Sequence, residues 1–405
     1  MLWDPSYKPR LRPVEAFRIQ DADRATIGLR DRSGLSDVVL SMSAPALHLL
    51  SLMDGEHTCD EIRSEFRAAF GQSVAMETLR TMLDHLERAR FLEGPAFESY
   101  FQALLSEYRA KGVRKMSLAA PPGISDASGD LFRQMLPSDG QAPPVPVDRV
   151  RGLVAPHLDY PRGEPCYASA YGAIRRRPRP DRVVILGTNH FGRSTGVVAT
   201  ANDFETPLGR TPCDREFLTR LETRCGDLRR YELDHAREHS IELQVVWLQF
   251  LFGAETLKIA PFLCPDPCGP TGTIPSDGRG VDLREFATVL GDLIAEDPTD
   301  TLLIAGADLS HIGASFGDER TIDDAFLDEV RIRDRRALDH LELGDPDGFV
   351  RRIAEHDNST RICSAGCIFA LATALPGARA TVLRYHQVVD HETQTCVTCA
   401  AAVYA

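Results

Sequence analysis

Val183-Val-Ile-Leu-Gly-Thr-Asn-His190 begins as an apolar run and ends in three polar residues. Such a run predicts a short buried β-strand, and the polar residues then lie in the loop that follows the strand. Two other stretches have the same form: Gly152-Leu-Val-Ala-Pro-His157, and Thr301-Leu-Leu-Ile-Ala-Gly306, which leads to Asp308 and His311. The three stretches predict strands whose following loops carry polar side chains.

From Val150 onward, strand-like runs alternate with helical stretches. The strand-like runs are Val150–Ala155, Val183–Gly187, Leu257–Phe262, Thr301–Ala305 and Thr381–Tyr385. This alternation predicts an α/β domain over residues 150–405, in which helices cover a sheet. Functional side chains in such a domain collect where strands end and loops begin.

The first 95 residues predict a separate small α+β module. Two strand-like runs, Ala25–Arg30 and Asp37–Met42, flank a turn, and three amphipathic helical segments follow them. Thr58 and Glu61 have the spacing of a capping box at a helix start. A hairpin with three helices is typical of a winged-helix domain.

Residues 96–149 are expected to connect the two domains. A helix is predicted over Ala96–Lys111, and the stretch Ala119–Val147 is rich in Pro, Gly, Ser and Asp. This composition is typical of a linker or a wrapping arm.

Length, charge and composition exclude several classes of protein. A chain of 405 residues is long enough for two domains, and its net charge of −13 disfavours a nucleic-acid binder. No stretch approaches the ~20 apolar residues that span a bilayer, and the N-terminus lacks the apolar region of a secretory signal. We expect a soluble cytoplasmic protein, bound to neither nucleic acid nor membrane, whose ten cysteines stay reduced.

Histidine follows three of the strand-like runs, as His157, His190 and His311. One histidine at a strand end is more often structural, but three in one domain predict a shared crevice that binds a metal. Cys363 precedes the apolar helix predicted over Ile368–Leu375, where the helix dipole favours a thiolate.

The segment between residues 234 and 244 carries four more polar candidates at helical spacing: His235, Glu238, His239 and Glu242. The segment lacks the HExxH arrangement of zinc proteases. We therefore favour Glu238, His239 and Glu242, together with Asn189, as partners that orient the metal-binding histidines, with direct ligation of the metal as the alternative.

Five segments occur in the order and spacing of one known family: Ala155-Pro-His157, Leu186–His190, Glu238–Glu242, Asp308–His311 and Ile362-Cys363. Over about Arg114 to the C-terminus the chain resembles the Memo family, also called AmmeMemoRadiSam system protein B. The resemblance implies a LigB-like α/β fold, similar to that of class III extradiol dioxygenases.

The resemblance also implies roles for the site residues. It makes His157, His190 and Cys363 the metal ligands, and His311, with Asp308 beside it, the acid–base residue. The chain departs from the usual family pattern at Leu158-Asp159 and at Ser364.

The N-terminal module resembles PqqD-like modules, which bind the leader peptides of ribosomally made substrates. The resemblance rests on Leu47–Leu52, Asp54-Gly55, Thr58, Ile62 and the helix Leu79–Leu86. It implies that a peptide adds as a strand to the module's sheet and contacts the third helix. A winged-helix interaction module of another use is the alternative.

These features predict a metal-dependent, dioxygenase-like redox enzyme that acts on a peptide or small molecule. Two imidazoles and one anionic ligand suit non-haem iron, while copper and zinc stay open. The ordinary pKa of histidine suits His311 to proton transfer. The alternatives are a non-catalytic peptide- or protein-binding scaffold, with AMMECR-type and radical-SAM partner proteins, and a zinc-dependent hydrolase.

Overall fold

The computed structural model of the chain describes residues 4–19, 26–118, 130–136, 146 and 149–405. The chain divides into two compact units, Met1–Tyr108 and Arg109–Ala405. The division falls near the end of the helix predicted over Ala96–Lys111. Most of the predicted linker Ala119–Val147, and Ala25 of the first predicted strand, lie outside the described residues.

The first unit combines a small antiparallel sheet with helices. Among the described residues the strands are ordered β1 (Glu15–Ile19), β2 (Thr26–Arg30) and β3 (Leu40–Ser43). The helices are α1 (Ala44–Ser51), α2 (Cys59–Phe70), α3 (Met76–Arg88) and α4 (Pro95–Lys111). Strand β1 was not predicted, and β3 begins three residues later than the strand predicted over Asp37–Met42.

Local sequence explains the helices of this unit. The Thr58 hydroxyl accepts the amide N–H of Glu61, and the Glu61 carboxylate accepts the amide N–H of Thr58, which confirms the capping box. In α3, Leu79, Leu83 and Leu86 recur at helical spacing and are buried. They pack with the buried residues of α1 and α2 in one core.

The second unit is an α/β domain. Its helices are α5 (Asp130–Met135), α6 (Tyr160–Ile174), α7 (Arg215–Cys225), α8 (Glu242–Phe252), α9 (Leu283–Glu296), α10 (Asp324–Glu342), α11 (Pro346–Ala354) and α12 (Ala365–Ala374). Its strands are β4 (Val113–Lys115), β5 (Gly152–Ala155), β6 (Arg182–Thr188), β7 (Val198–Ala199), β8 (Asp203–Thr206), β9 (Gly209–Thr211), β10 (Lys258–Cys264), β11 (Thr301–Gly306), β12 (Asp308–Gly313), β13 (Ala380–Asp390) and β14 (Thr395–Tyr404).

Within the described part of the chain, the main sheet of this unit has the strand order β12-β14-β5-β11-β6-β10-β7, and β13 pairs with β14. Strands β5, β11, β6 and β10 run parallel. Their carboxyl ends therefore lie at one edge of the sheet, where the loops carrying His157 and His190 begin. A separate small sheet has the order β4-β8-β9.

Two local predictions for this unit were wrong. His311 was expected in a loop, but it lies within β12, which pairs with β14. Residues 235–242 were expected to share one helical face. Instead, a 3₁₀ helix covers Glu232–Ala236, and α8 begins only at Glu242.

No helix in the described part of the chain combines the length and the apolar character that crossing a membrane requires.

Candidate metal centre

Three predicted ligands converge at the carboxyl edge of the main sheet. His157 and His190 each lie two residues beyond the end of a parallel strand, and Cys363 lies two residues before α12. One side-chain donor atom from each of the three lies within 4.8 Å of the other two. We call these three residues the metal pocket.

His157 is buried and held in one tautomer. Its Nδ1 lies 2.9 Å from the carbonyl oxygen of Gly306, which can only accept, so Nδ1 carries the proton. Nε2 is therefore unprotonated, and it accepts a hydrogen bond from the Cys363 thiol at 3.5 Å. Burial, with His190 and His239 nearby, lowers the pKa of His157 well below its ordinary value and keeps the ring neutral.

His190 is oriented by Glu238. Its Nδ1 lies 3.0 and 3.1 Å from the two carboxylate oxygens of Glu238, which leaves Nε2 free for a ligand. Glu238 also accepts the amide N–H groups of His190, His239 and Ser240 at 3.0, 2.8 and 2.9 Å. Burial acts to raise the pKa of Glu238, but these hydrogen bonds, led by the one from His190, hold it well below its usual range.

His239 completes a cluster of imidazoles. Its ring stacks on His190 at a centroid distance of 5.0 Å and meets the edge of His157 at 5.5 Å. His190, Glu238 and His239 form a second group with donor atoms close enough to hold an ion. Since amide and imidazole N–H groups already occupy the Glu238 carboxylate, we interpret this group as a support for His190.

Cys363 directly follows a tight loop formed by residues 357–362. Asp357, Asn358 and Arg361 adopt left-handed backbone conformations, with φ of 52°, 46° and 56°. The Asn358 side chain accepts the amide N–H of Ile362 at 2.8 Å and donates to its carbonyl oxygen at 3.0 Å. Burial, and the charge of Asp308, raise the pKa of the Cys363 thiol well above its ordinary value.

His311 and Asp308 lie beside the pocket. The Nδ1 of His311 lies 3.0 and 3.1 Å from the carbonyl oxygens of Leu309 and Arg361, so Nδ1 carries the proton and Nε2 is a free base. Burial lowers the pKa of His311 and raises that of Asp308. Asp308 accepts the amide N–H of His157 at 3.0 Å, and its other oxygen lies 3.4 Å from Nε2 of His157.

Two predicted orienting residues have other contacts. Asn189 donates to the Asp234 carboxylate at 3.0 Å and so shapes the loop that follows His190. The Glu242 carboxylate bonds to Arg114. Neither Asp234 nor Arg114 was predicted as a site residue. The weak signal for Arg114 was that the family resemblance begins there.

The donor set suits a transition metal. Both imidazoles have Nδ1 committed to a hydrogen bond and Nε2 unprotonated on the side of the pocket, which is the usual state of metal-ligating histidine. A thiol completes a set of two nitrogens and one sulfur, and such a set accepts iron, copper or zinc. Three protein donors leave coordination positions for a substrate or a solvent molecule.

The chain is similar to proteins of one family. The sequence model described as "Memo-like protein" matches residues 127–403. A MEMO1 family protein of Aquifex aeolicus is 28% identical over 82% of this chain and 83% of its own length. A MEMO1 family protein of Thermus thermophilus is 26% identical over 85% of this chain and 98% of its own length.

A third relative, a MEMO1 family protein of Sulfolobus acidocaldarius, is 30% identical over 63% of this chain and 82% of its own length. Among solved structures, that of an uncharacterized protein of Escherichia coli K12 matches with a TM-score of 0.35 and 15% identity. It covers 64% of this chain and 100% of the other.

Proposed function

Because the chain belongs to the Memo-like protein family, we propose that its metal pocket binds a divalent metal, preferentially iron, and that the protein is a metal-dependent redox enzyme. The observation that carries this proposal is the approach of three donor atoms to within 4.8 Å of one another. We further propose that the second unit has a LigB-like fold and that the protein works in the cytoplasm, where its ten free thiols stay reduced.

The pocket residues would divide the work as follows. His157, His190 and Cys363 would hold the metal, and a bound iron would supply redox chemistry with oxygen at its open positions. Glu238 would keep His190 in the ligating tautomer. Gly306 would do the same for His157 through its carbonyl oxygen.

His311 would move a proton to or from the substrate. Its protonated Nδ1 is tied to two backbone carbonyls, so only Nε2 can accept a proton from a bound molecule. Because burial lowers its pKa, the ring is neutral at physiological pH and starts as a base. Asp308, on the same strand, would hold the His157 backbone in place.

Metal analysis after anaerobic reconstitution with Fe²⁺ tests the proposal. The unaltered protein should retain about one iron per chain, and the His157→Ala/His190→Ala double variant should retain almost none. A matched control is His386→Ala/His391→Ala, which removes two imidazoles from β13 and the turn after it. Equal iron in the unaltered protein and the pocket variant would refute the proposal.

One observation favours an added role for the first unit, namely capture of a peptide substrate. A cavity of about 440 Å³ lies between β3 and α3, lined by Leu40, Ser41, Met42, Glu77, Thr78, Thr81, Met82, His85 and Leu86. Strand β3 is an edge strand of its sheet within the described residues. An extended peptide could pair with that edge and place side chains in the cavity, as in a PqqD-like winged-helix module.

Titration with synthetic peptides from small reading frames beside the gene tests this role. Thr81→Arg puts a long charged side chain into the mouth of the cavity and should weaken binding at least tenfold. Ala68→Arg makes the same change on an exposed part of α2 and should leave binding unchanged. If no peptide binds, or if Thr81→Arg binds as well as Ala68→Arg, the peptide role is wrong.

A further inference from the structure

Arg114 connects the segment after α4 to the stretch that carries Glu238. Strand β4, which contains Arg114, runs parallel to β8, and the Arg114 side chain is only 2% exposed. Its guanidinium donates to the carbonyl oxygen of His235 at 3.1 Å, to the carbonyl oxygen of Glu238 and to the carboxylate of Glu242. One side chain therefore holds three points of residues 235–242, which we call the clamped stretch.

Glu242 makes this arrangement stable. Its side chain is fully buried, and besides Arg114 it accepts the amide N–H groups of Ser117 at 2.8 Å and Leu118 at 2.9 Å. A buried charge is tolerated only when it is paired and hydrogen-bonded. The carboxylate and the guanidinium therefore fix each other, and residues 114–118 close over them.

The clamped stretch needs such support because its middle has no regular structure. Residues 237–241 lie between a 3₁₀ helix and α8, and the hydrogen bonds of the first turn of α8 begin at the carbonyl oxygens of His239 and Ile241. Glu238 precedes them, so its backbone is positioned by other contacts. The Glu238 side chain nevertheless has to reach Nδ1 of His190 within 3.0 Å. Arg114 bonds to the carbonyl oxygen of Glu238 itself and so limits where its carboxylate can lie.

We propose that Arg114 is a positioning residue for the metal pocket, acting through Glu238 on His190. The inference rests on the proposed metal binding by His157, His190 and Cys363. Loss of a group that orients a metal-binding histidine typically weakens metal affinity by about 10–100-fold. We expect an effect of that size from Arg114, although its guanidinium touches none of the three ligands in the contacts described above.

Arg114→Lys separates positioning from charge balance. Lysine keeps a positive charge opposite Glu242, but its single ammonium cannot reproduce the planar fork that reaches three acceptors. Co²⁺ is a suitable probe, because thiolate ligation gives it a charge-transfer absorption. The dissociation constant for Co²⁺ should rise at least tenfold in Arg114→Lys. Lys115→Ala, which removes a neighbouring side chain that is 76% exposed, should bind Co²⁺ like the unaltered protein.

Amide hydrogen exchange in the metal-free protein gives a second measurement. The amide N–H groups of His239 and Ser240 donate to Glu238, so their exchange reports the position of that carboxylate. Their exchange should be at least tenfold faster in Arg114→Lys and unchanged in Lys115→Ala. If the unaltered protein binds no Co²⁺, the proposed function fails, and the exchange rates still decide the role of Arg114.

A double variant with no charge at either position serves as the test if Arg114→Lys does not fold. Arg114→Gln/Glu242→Gln leaves no unpaired buried charge, yet it removes the guanidinium from the carbonyl oxygens of His235 and Glu238. It should show the same loss of Co²⁺ affinity and the same faster exchange. Unchanged affinity and unchanged exchange in whichever of the two variants folds would overturn the proposal.

Discussion

The Glu238 carboxylate is the acceptor for the hydrogen-bond donors that face it, including the imidazole of His190. It accepts an imidazole N–H and three backbone N–H groups, so the site around it supplies only donors. Glu238→Gln places an NH₂ group among those donors, and at least one N–H must lose its acceptor. We expect Co²⁺ affinity to fall about 10–100-fold while the fold is kept.

Co²⁺ titration and circular dichroism of the two proteins check this expectation. Glu329→Gln, on the exposed face of α10, is the matched control and should leave the affinity unchanged. A Glu238→Gln variant that binds as tightly as the control would show that Glu238 does not orient His190.

Because of Asp334, we expect the stability of the second unit to depend on pH. It is buried and accepts hydrogen bonds from Ser310 at 2.6 Å, Thr398 at 2.6 Å and Tyr385 at 2.8 Å. Burial raises its pKa from 3.8 to about 6, although these hydroxyls act to lower it. The folded protein therefore holds this proton more tightly than the unfolded chain does.

The direction of the pH effect on stability follows from this difference in the pKa of Asp334 between the folded and the unfolded protein. As pH rises from about 4 to about 6, the contribution of Asp334 to the free energy of unfolding falls, by about 3 kcal/mol at most. Asp334→Asn cannot ionise and should not show this loss. Urea unfolding at pH 4.5, 5.5 and 7, compared with that of Asp328→Asn as an exposed control, measures the difference. Parallel pH curves for the unaltered protein and Asp334→Asn would contradict the expectation.

The positions of His157 and His190 at one edge of the sheet could be predicted because each residue follows a recognisable pattern. His157 and His190 come directly after apolar strand runs, and such runs in an α/β domain end at one edge of the sheet. Arg114 could not be predicted in the same way. Its partners are two backbone carbonyls and a carboxylate more than a hundred residues away, and no local pattern encodes such contacts.

At the scale of elements, the first turn of α12 packs closely against the backbone at Pro265. A Cβ at Gly366 would lie 1.9 Å from the carbonyl oxygen of Pro265, which is part of the backbone and cannot move aside cheaply. Gly366→Ala should therefore destabilise the protein by about 1–3 kcal/mol, despite the better helix propensity of alanine. It should also weaken Co²⁺ binding, because Cys363 lies three residues earlier.

Thermal unfolding and Co²⁺ titration test this expectation against Gly269→Ala. Nothing lies within 4 Å of the place where a Cβ at Gly269 would be, so that variant should match the unaltered protein. Equal stability of the two variants would mean that the loop containing Pro265 moves aside to make room for the added methyl group.

Element predictions held where a segment carries its own signal. The Thr58–Glu61 capping box predicts the start of α2, and the apolar runs predict β6 and β11 within one residue at each end. The 235–242 segment was mispredicted because helical spacing alone does not form a helix. There, the Glu238 carboxylate takes the amide N–H groups of His239 and Ser240.

At the scale of the whole molecule, we expect the stability of the second unit to depend on residues that precede the family match. The match begins at residue 127, whereas the unit begins at Arg109. Between these points Arg109 donates to the buried carboxylate of Glu232 at 2.8 Å, and Arg114 pairs with Glu242. A fragment cut at the match would leave both carboxylates without these partners.

Two fragments turn this difference into a measurement. Residues 109–405 keep both arginines, so this fragment should fold, with a melting temperature within a few degrees of the corresponding transition in the full chain. Residues 119–405 lose the partner of a buried charge at Glu242, which costs about 3–5 kcal/mol, and should melt more than 10 °C lower or fail to fold. Differential scanning calorimetry with Co²⁺ titration checks both. Equal melting and equal affinity would show that residues 109–118 are dispensable and that the family match alone marks the folding unit.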